Sequence, residues 1–415
     1  AQHMAIGYYL ATGRPQTTMV HVGVGTANGI LGLMNAFRGN VPMLFTAGLA
    51  PNSEDTYKGH RNSDINWTQE MYDQAGMLRE SVKWDYELRN GEQLETVVDR
   101  ALAIMQSEPL GPAYLTLPRD VLAMEMERFS YWAESRNAPA APPAPNPDAL
   151  AHAAAILAQA ERPLIVTSAA GRNPDVMENL GSLAQRFAIP VIQTRSRFVS
   201  IATDHPMDLG GDLAPFIGEA DAVLAVECPV PWIPTRHAPP AEAKIIHLAP
   251  DPLFSFIPIR GHACDVALAT ATGLGLALLE DAMAEHEKAA RARIDRRRKN
   301  LARRRQTLVE ERSARLQRAE TASPIVKPWV SHCVDRIKES DGIVVSEMGV
   351  DPQFMETTRP LELFSPMAAS GLGSGLGAAL GAKLAHPDKL VIGSYGDGAY
   401  MFGNPLASHY VGAEM

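Results

Sequence analysis

The sequence is poor in cysteine and in aromatic residues, and it contains no long apolar run. Cysteine occurs three times in 415 residues, without a CxxC pair, so neither a zinc ribbon nor a disulfide scaffold is indicated. Such cysteine usage favours a reducing, cytoplasmic compartment. No uninterrupted apolar stretch reaches the length of about 18 residues that a membrane-spanning helix needs, so we expect no membrane partner.

The sequence also lacks an excess of positive charge. Lysine and arginine number 38 against 47 aspartate and glutamate residues, a net charge of −9, so we expect no nucleic-acid partner. With 46% hydrophobic and 20% charged residues, the chain has the composition of a globular protein. Its length predicts two or three domains.

Both ends of the sequence lie inside helix-like patterns. The first residue is Ala1, and the last residues, 410–415, stop without a cap or a turn. We therefore expect these 415 residues to be an internal piece of a longer protein.

Short apolar runs alternate with helical patterns along the whole chain, which is typical of parallel sheets with helical crossovers. The predicted fold class is α/β, with three consecutive doubly wound parallel-sheet domains of which the first and last are incomplete. The predicted strands cover residues 17–22, 42–48, 112–118, 163–167, 222–226, 244–248, 342–346 and 390–395.

Composition shifts mark the domain boundaries. A proline- and alanine-rich stretch predicts an extended linker over residues 126–147, which separates a first domain (1–125) from a central domain (148–280). Residues 281–323 predict one long charged connecting helix, and a last domain covers 324–415. The connecting helix carries nine basic residues between 291 and 305, which suits either an anion-binding patch or a solvated helix flanked by acidic residues; we favour the second.

The motif Gly396-Asp397-Gly398 directly follows an apolar strand. An aspartate at the carboxyl end of a parallel strand lies where open α/β sheets bind ligands, and flanking glycines let a phosphate approach the backbone. A carboxylate there suits Mg²⁺ bound together with phosphate oxygens. The alternative is an ordinary Asp-Gly turn.

Two further glycine-rich stretches, 23–29 and 370–377, each precede a predicted helix and are interpreted as strand-to-helix turns. Helix starts bind anions, whereas glycines also allow helices to pack closely. Three such stretches are hard to explain by packing alone.

These motifs, in this order, make the chain resemble the thiamine-diphosphate-dependent enzymes, particularly acetolactate synthase and benzoylformate decarboxylase. The resemblance covers essentially the whole chain. The segments that carry it are 7–8, 11–15, 25–28, 42–48, 82–84, 111–118, 161–163, 371–373, 378–381 and 389–398.

The resemblance implies a pyrimidine-binding first domain, a central domain and a diphosphate-binding last domain. It also implies a homodimer or homotetramer whose active site lies between subunits. Asp397 would bind Mg²⁺, and Gly396, Gly398 and Ala399 would border the diphosphate of thiamine diphosphate. Ser370 would offer its backbone oxygen to the aminopyrimidine, and Leu372 would wedge beneath the bent cofactor. Ser346 and Gly349 would lie near the cofactor phosphates.

The implied reaction acts on a 2-oxo acid through an enamine intermediate, either by decarboxylation or by acetolactate-type carboligation. His21, at a strand end, is the candidate proton relay, as in benzoylformate decarboxylase-like sequences, and it tilts the balance slightly toward decarboxylation. The alternative is a structural histidine whose side chain only forms hydrogen bonds with the nearby backbone. Gly25, Thr26 and Asn28 are assigned to the substrate pocket.

Some expected features are missing from these residues. The activating glutamate of the family belongs just before Ala1, and the asparagine of its metal site belongs beyond Met415. The alternative is a non-catalytic homologue that binds the cofactor, or a structural subunit, which absence of that glutamate from the complete protein would favour. No flavin signature is evident around residues 168–172 or 232–237, so we expect no FAD. A nicotinamide enzyme is disfavoured because residues 23–29 lack GxGxxG.

Overall fold

The computed structural model describes residues 1–127, 131–132 and 134–415. Packing divides the chain into two compact units. The first unit contains residues 1–141, 366–388 and 395–415, and the second contains 142–365 and 389–394. Within the described ranges, no helix combines the length and the apolar character that crossing a membrane requires.

Helices and strands alternate in both units. Up to residue 122 the elements are α1 (Gln2–Thr12), β1 (Gln16–Val20), α2 (Val22–Arg38), β2 (Met43–Leu49), α3 (Ile65–Thr68), β3 (Trp84–Glu87), α4 (Leu94–Met105), β4 (Ala113–Pro118) and α5 (Arg119–Leu122). The middle of the chain forms α6 (Pro147–Gln159), β5 (Pro163–Thr167), α7 (Asp175–Phe187), β6 (Val191–Gln193), α8 (Ala214–Ile217), β7 (Ala222–Val226), β8 (Lys244–Ala249), β9 (Val266–Ala269), α9 (Thr272–Ala284) and α10 (Glu287–Glu320). The last part forms α11 (Lys327–Ile337), β10 (Ile343–Ser346), β11 (Leu363–Phe364), α12 (Ser374–Ala385), β12 (Val391–Ser394), α13 (Asp397–Phe402) and α14 (Pro405–Glu414).

The first unit is built on a parallel sheet with the strand order β1-β2-β4-β3. Its central strand β2 is buried over most of its length, as expected for a parallel strand covered on both faces. Phe45 of β2 stacks on Tyr114 of β4 with ring centroids 5.5 Å apart, and Leu33 of α2 packs in the same core cluster.

Helices α1 and α12 pack against each other almost backbone to backbone in the first unit. A Cβ atom added to Gly7 would lie 2.0 Å from the carbonyl oxygen of Ala378, and one added to Gly381 would lie 2.0 Å from that of Met4. Gly7 and Gly381 therefore serve close packing of the two helices.

The second unit contains a five-stranded parallel sheet with the order β6-β5-β7-β8-β9. Apolar residues of α6, α7 and α9 cover it. Helix α10 adds a narrow apolar stripe of Ala290, Ile294 and Leu301 to the same core.

A second parallel sheet of the same unit has the order β11-β10-β12, and its register pairs Ser346 with Ser394 at the carboxyl ends of β10 and β12. The named strands of the described residues therefore form three sheets, all parallel. This confirms the expected class of three parallel-sheet α/β domains.

Several sequence-based boundaries are wrong in detail. Strand β1 ends at Val20, and residues 23–29 are not a turn but the first turns of α2. Close contacts explain the glycines there, since a Cβ atom on Gly29 would lie 2.7 Å from Cζ of Phe45. The charged segment is also not one helix, because α9 ends at Ala284 and α10 begins at Glu287.

The expected linker over 126–147 falls partly outside the described residues, at 128–130 and 133. Residues 134–146 contain no helix or strand, and α6 begins at Pro147 with the Asn146 side chain accepting from the backbone N–H groups of Asp148 and Ala149. The domain boundaries inferred from composition stay predictions.

Replacing Gly381 by alanine tests the close packing of α1 and α12. We expect Gly381→Ala to destabilise the first unit by about 3 kcal/mol, because the new methyl group meets a main-chain carbonyl that cannot rotate away. Urea unfolding of the variant measures the effect. Gly218→Ala is the control, since no atom lies within 4 Å of the added Cβ position and the φ angle of −69° is ordinary. Equal stability of the two variants would contradict the packing argument.

Candidate functional site

Asp397 is the first residue of α13, three positions after the end of β12. Both Asp397 and Gly398 are exposed, and Oδ1 of Asp397 accepts a hydrogen bond of 2.8 Å from the backbone N–H of Gly398. A Cβ atom on Gly398 would meet nothing within 4 Å. The carboxylate therefore faces open space, where a metal ion and a phosphate group have room to bind.

The glycine-rich stretch 370–377 packs against the end of α13, the helix that begins at Asp397, within the first unit. Gly373, whose φ angle is 83°, immediately precedes α12. A Cβ atom added there would lie 2.8 Å from the backbone nitrogen of Gly403, the residue that follows α13. Backbone contact between these segments thus places the start of α12 beside α13, whose first residue is Asp397.

Residues 369–373 form a loop that α2 holds in place. The buried side chain of Asn35 accepts a hydrogen bond of 2.9 Å from the backbone N–H of Ala369. Ser370 is exposed with a φ angle of 57°, in the left-handed region, and the Leu372 side chain is 42% exposed. The loop therefore presents both residues that the resemblance assigns to the aminopyrimidine and the bend of the cofactor.

His3 of α1 lies next to Asn35. Their Nε2 and Nδ2 atoms are 3.5 Å apart. Burial lowers the pKa of His3 below its ordinary value. The ring is therefore neutral at pH 7, and its Nε2 atom can accept a hydrogen bond from the Asn35 amide.

The turn after β10 contains Ser346 and Gly349 and belongs to the second unit. The backbone N–H of Glu347 donates to the carbonyl of Ser394 at 2.9 Å, and the Ser394 hydroxyl donates to the carbonyl of Met348 at 2.6 Å. Gly349 adopts a φ angle of 103°, which favours glycine. Hydrogen bonds to Ser394, the last residue of β12, thus stabilise this turn.

The first unit also carries the candidate substrate residues near the start of α2. His21 directly follows β1, is exposed, and makes no side-chain capping bond to α2. Gly25 is half-buried and Asn28 is exposed. Thr26 is fully buried, and its hydroxyl donates to the carbonyl of Val22 at 2.9 Å. The structure therefore presents His21 and Asn28 at the surface and keeps the Thr26 side chain inside.

Sequence reasoning missed the buried network around Thr26. The hydroxyls of Thr26 and Tyr114 are 2.8 Å apart, and the Gln74 amide donates to the Tyr114 hydroxyl at 2.9 Å and to the carbonyl of Gly48 at 3.0 Å. Burial raises the pKa of Tyr114. The network joins α2, β2 and β4 through Gln74, and no sequence pattern signals it because its members are far apart in the chain.

The donor set near Asp397 fits magnesium bound through a cofactor better than a metal site made of protein alone. Among the described residues, no group of three histidine, cysteine, aspartate or glutamate side chains could hold a metal ion. Magnesium commonly takes one or two carboxylates and completes its shell with phosphate oxygens and water. The exposed Asp397 carboxylate beside the open Gly398 meets that requirement.

The central sheet contains a second place where ligands commonly bind, the carboxyl ends of β5 and β7, where the strand order reverses. Arg172, which follows β5, donates through Nε to Oε2 of Glu227 at 2.8 Å, and both side chains are more than 90% buried. A Cβ atom on Gly171 would lie 2.0 Å from the carbonyl oxygen of Val199. Protein atoms therefore fill this crevice, and Glu227 is a residue that sequence reasoning missed.

Comparison with known proteins defines the class. Three family profiles match in order: the N-terminal TPP binding domain of thiamine pyrophosphate enzymes over residues 1–77, their central domain over 150–256, and their C-terminal TPP binding domain over 348–411. Together they match more than half of the chain. The chain belongs to the thiamine pyrophosphate enzyme family, and its first and last matched domains are of the type that binds thiamine diphosphate.

The individual relatives have low sequence identity to this chain. Benzoylformate decarboxylase of Pseudomonas aeruginosa is 27% identical, over 96% of this chain and 72% of that protein. The acetolactate synthase large subunit of Haemophilus influenzae is 24% identical, over 96% of this chain and 69% of that protein. The solved structure of the 4-hydroxybenzoylformate decarboxylase of Rhodococcus jostii RHA1 matches with a TM-score of 0.72 and 22% identity, over 97% of this chain and 73% of that one, which supports the fold alone.

Replacing Asn35 tests how the 369–373 loop is held. We expect Asn35→Ala to cost about 2 kcal/mol of unfolding free energy, because the partly buried Ala369 N–H loses its acceptor. Urea denaturation gives the energy, and hydrogen exchange at the Ala369 amide should become faster. Asn28→Ala on the exposed face of the same helix is the control. An Ala369 amide that exchanges equally slowly in both variants would refute the assignment.

Proposed function

We propose that this chain is part of an enzyme that uses thiamine diphosphate and Mg²⁺ to act on 2-oxo acids, by decarboxylation or by acetolactate-type carboligation. Family membership and the names of the relatives support the reaction class. The observation that carries the metal and diphosphate part is the exposed Asp397 carboxylate beside the open backbone of Gly398.

Different residues of the chain would hold different parts of the cofactor. Asp397 would bind Mg²⁺, and the backbone of Gly396, Gly398 and Ala399 would border the diphosphate. The exposed loop of residues 369–373, which precedes α12, would offer the Ser370 carbonyl to the aminopyrimidine and support the cofactor with Leu372. Ser346 and Gly349 are proposed to lie near the phosphates.

Thiamine diphosphate, when bound, supplies a carbanion that attacks the keto carbon and accepts the electrons released when carbon dioxide leaves. The protein then has to exclude water and to deliver or withhold a proton. His21 is exposed at the strand end and free of a capping bond, so its ring can exchange protons with a bound substrate. Gly25, Thr26 and Asn28 are proposed to shape the pocket beside it, with Thr26 acting from the core through the position of α2.

The remaining assignments follow from the same relatives. We propose a homodimer or homotetramer in the cytoplasm with no FAD. The ground for expecting no FAD is that no flavin signature is evident around residues 168–172 or 232–237. A cofactor-binding homologue without turnover, or a structural subunit, is the second candidate.

Product analysis separates these possibilities. The full-length protein is incubated with thiamine diphosphate, Mg²⁺ and either pyruvate or benzoylformate, and the products are identified. An aldehyde indicates decarboxylation, and acetolactate or another hydroxy-keto acid indicates carboligation. Turnover of neither substrate, together with tight binding of the cofactor, would favour the non-catalytic homologue.

Asp397→Ala tests the metal site directly. We expect the affinity for thiamine diphosphate in the presence of Mg²⁺ to fall at least tenfold, because the metal loses its protein carboxylate; calorimetric titration measures it. Asp388→Ala is the control, since Asp388 is also exposed and belongs to the same unit. Unchanged cofactor binding in Asp397→Ala would exclude this role for Asp397.

His21→Ala tests the proton relay. We expect kcat on the accepted 2-oxo acid to fall by about 10²-fold or more while the affinity for thiamine diphosphate stays nearly constant, because general acid–base catalysis contributes to the reaction steps and not to cofactor binding. Steady-state kinetics and cofactor titration are compared with His237→Ala, which removes another exposed histidine. Wild-type rates in His21→Ala would reduce His21 to a structural role.

A further inference from the structure

Helix α10 lines a half-open cavity of about 510 Å³ within the second unit, at the end of the central sheet where the strands begin. Pro163 at the start of β5 and Pro190 just before β6 line the cavity. This is the opposite edge from the carboxyl ends of the strands and from the Arg172–Glu227 pair. The volume lies within the range of about 300–1,000 Å³ that is typical of small-ligand sites.

The cavity has an excess of positive charge. Five arginines line it against two glutamates: Arg162, Arg296, Arg297, Arg303 and Arg304 face Glu161 and Glu219. Arg296 pairs with Glu161 at 2.6 Å and Arg304 pairs with Glu219 at 2.9 Å. Three guanidinium charges therefore remain without a carboxylate of their own. Among the described residues, Arg303 makes no side-chain hydrogen bond or ion pair, so its guanidinium is available to a ligand.

Arg297 provides the second, independent observation. Its side chain is only 6% exposed, and its Nη1 and Nη2 atoms donate to the carbonyls of Phe187 at 3.1 Å and Leu157 at 3.3 Å. Its Nε atom is buried and has no partner. Its Nη2 atom also donates to the carbonyl of Ala160. Arg297 lines the cavity, so its guanidinium charge attracts an anion that binds there.

Apolar residues form the other wall of the cavity. Leu164 and Leu301 line it, and Phe216 lies beneath Arg304, whose Cζ atom is 5.2 Å from the ring centroid. A simple inorganic anion would leave this surface unused and most of the volume unfilled. The wall therefore suits an organic group attached to the anion.

We propose that this cavity binds a small phosphorylated organic molecule, with its phosphate on Arg297 and Arg303 and its organic part against Phe216 and the leucines. A phosphate carries nearly two charges at pH 7 and accepts from several guanidinium groups at once, which matches the excess of three better than a single carboxylate does. The site is separate from the residues assigned to thiamine diphosphate, so it stands independently of the proposed function.

Calorimetric titration of the full-length protein with phenyl phosphate and with inorganic phosphate tests the proposal. The protein is first saturated with thiamine diphosphate and Mg²⁺ so that the cofactor site is closed to the probes, and the titration is repeated without cofactor so that a failure of cofactor binding leaves the result readable. We expect saturable binding of phenyl phosphate at low salt, at least fivefold tighter than inorganic phosphate and weaker at higher ionic strength. No saturable binding, or equal affinity for both probes, would overturn the proposal.

Three exposed positions locate the binding. Arg303→Gln should weaken phenyl phosphate binding about fivefold, whereas Glu219→Gln should strengthen it because the cavity then gains net positive charge. Arg318→Gln is the matched control, an exposed arginine 15 positions further along α10 that does not line the cavity. Equal affinities of the Arg303→Gln and Arg318→Gln variants would show that the probe binds elsewhere and would refute the site.

Discussion

The first unit joins both ends of the chain through contacts that leave no space for a side chain. Helix α1 approaches α12 so closely that Gly7 and Gly381 each face a main-chain carbonyl, and Gly373 meets Gly403 in the same way. The second of these contacts sets the start of α12 beside α13. The position of Asp397 in this unit therefore depends on glycines that never touch a ligand themselves.

This constraint also explains which parts of the site a sequence can predict. Asp397 and its flanking glycines form a local pattern after an apolar strand, and the structure places them at the start of a helix, with Asp397 and Gly398 exposed. The 23–29 stretch shows the same composition, yet it lies inside α2, where Gly29 faces Phe45. Glycine alone does not distinguish a phosphate-binding turn from a tightly packed helix, because both require the absence of a Cβ atom.

Eight of the twelve strands in the described residues were predictable, because a buried parallel strand is a short, continuous apolar run with turn residues on either side. Strands β3, β6, β9 and β11 were missed. The long-range contacts that hold the candidate sites together were not predictable from the sequence. Asn35 bonds to Ala369 across 334 positions and Arg172 to Glu227 across 55 positions, and neither pair leaves a periodic signal. The break between α9 and α10 was missed for a related reason, since charged residues of high helical propensity continue through it.

The arginines of helix α10 have different physical roles. The same run of arginines contains Arg297, whose guanidinium bonds to main-chain carbonyls in the core, and Arg296 and Arg304, which pair with glutamates at the surface. Arg303 alone among the four is left with its charge unpaired within the described residues. A count of charges along the helix favoured a solvated connector, because it weighs all arginines equally. Burial and pairing separate these four. Once the buried Arg297 and the paired Arg296 and Arg304 are set aside, Arg303 remains unpaired at a cavity with an apolar wall.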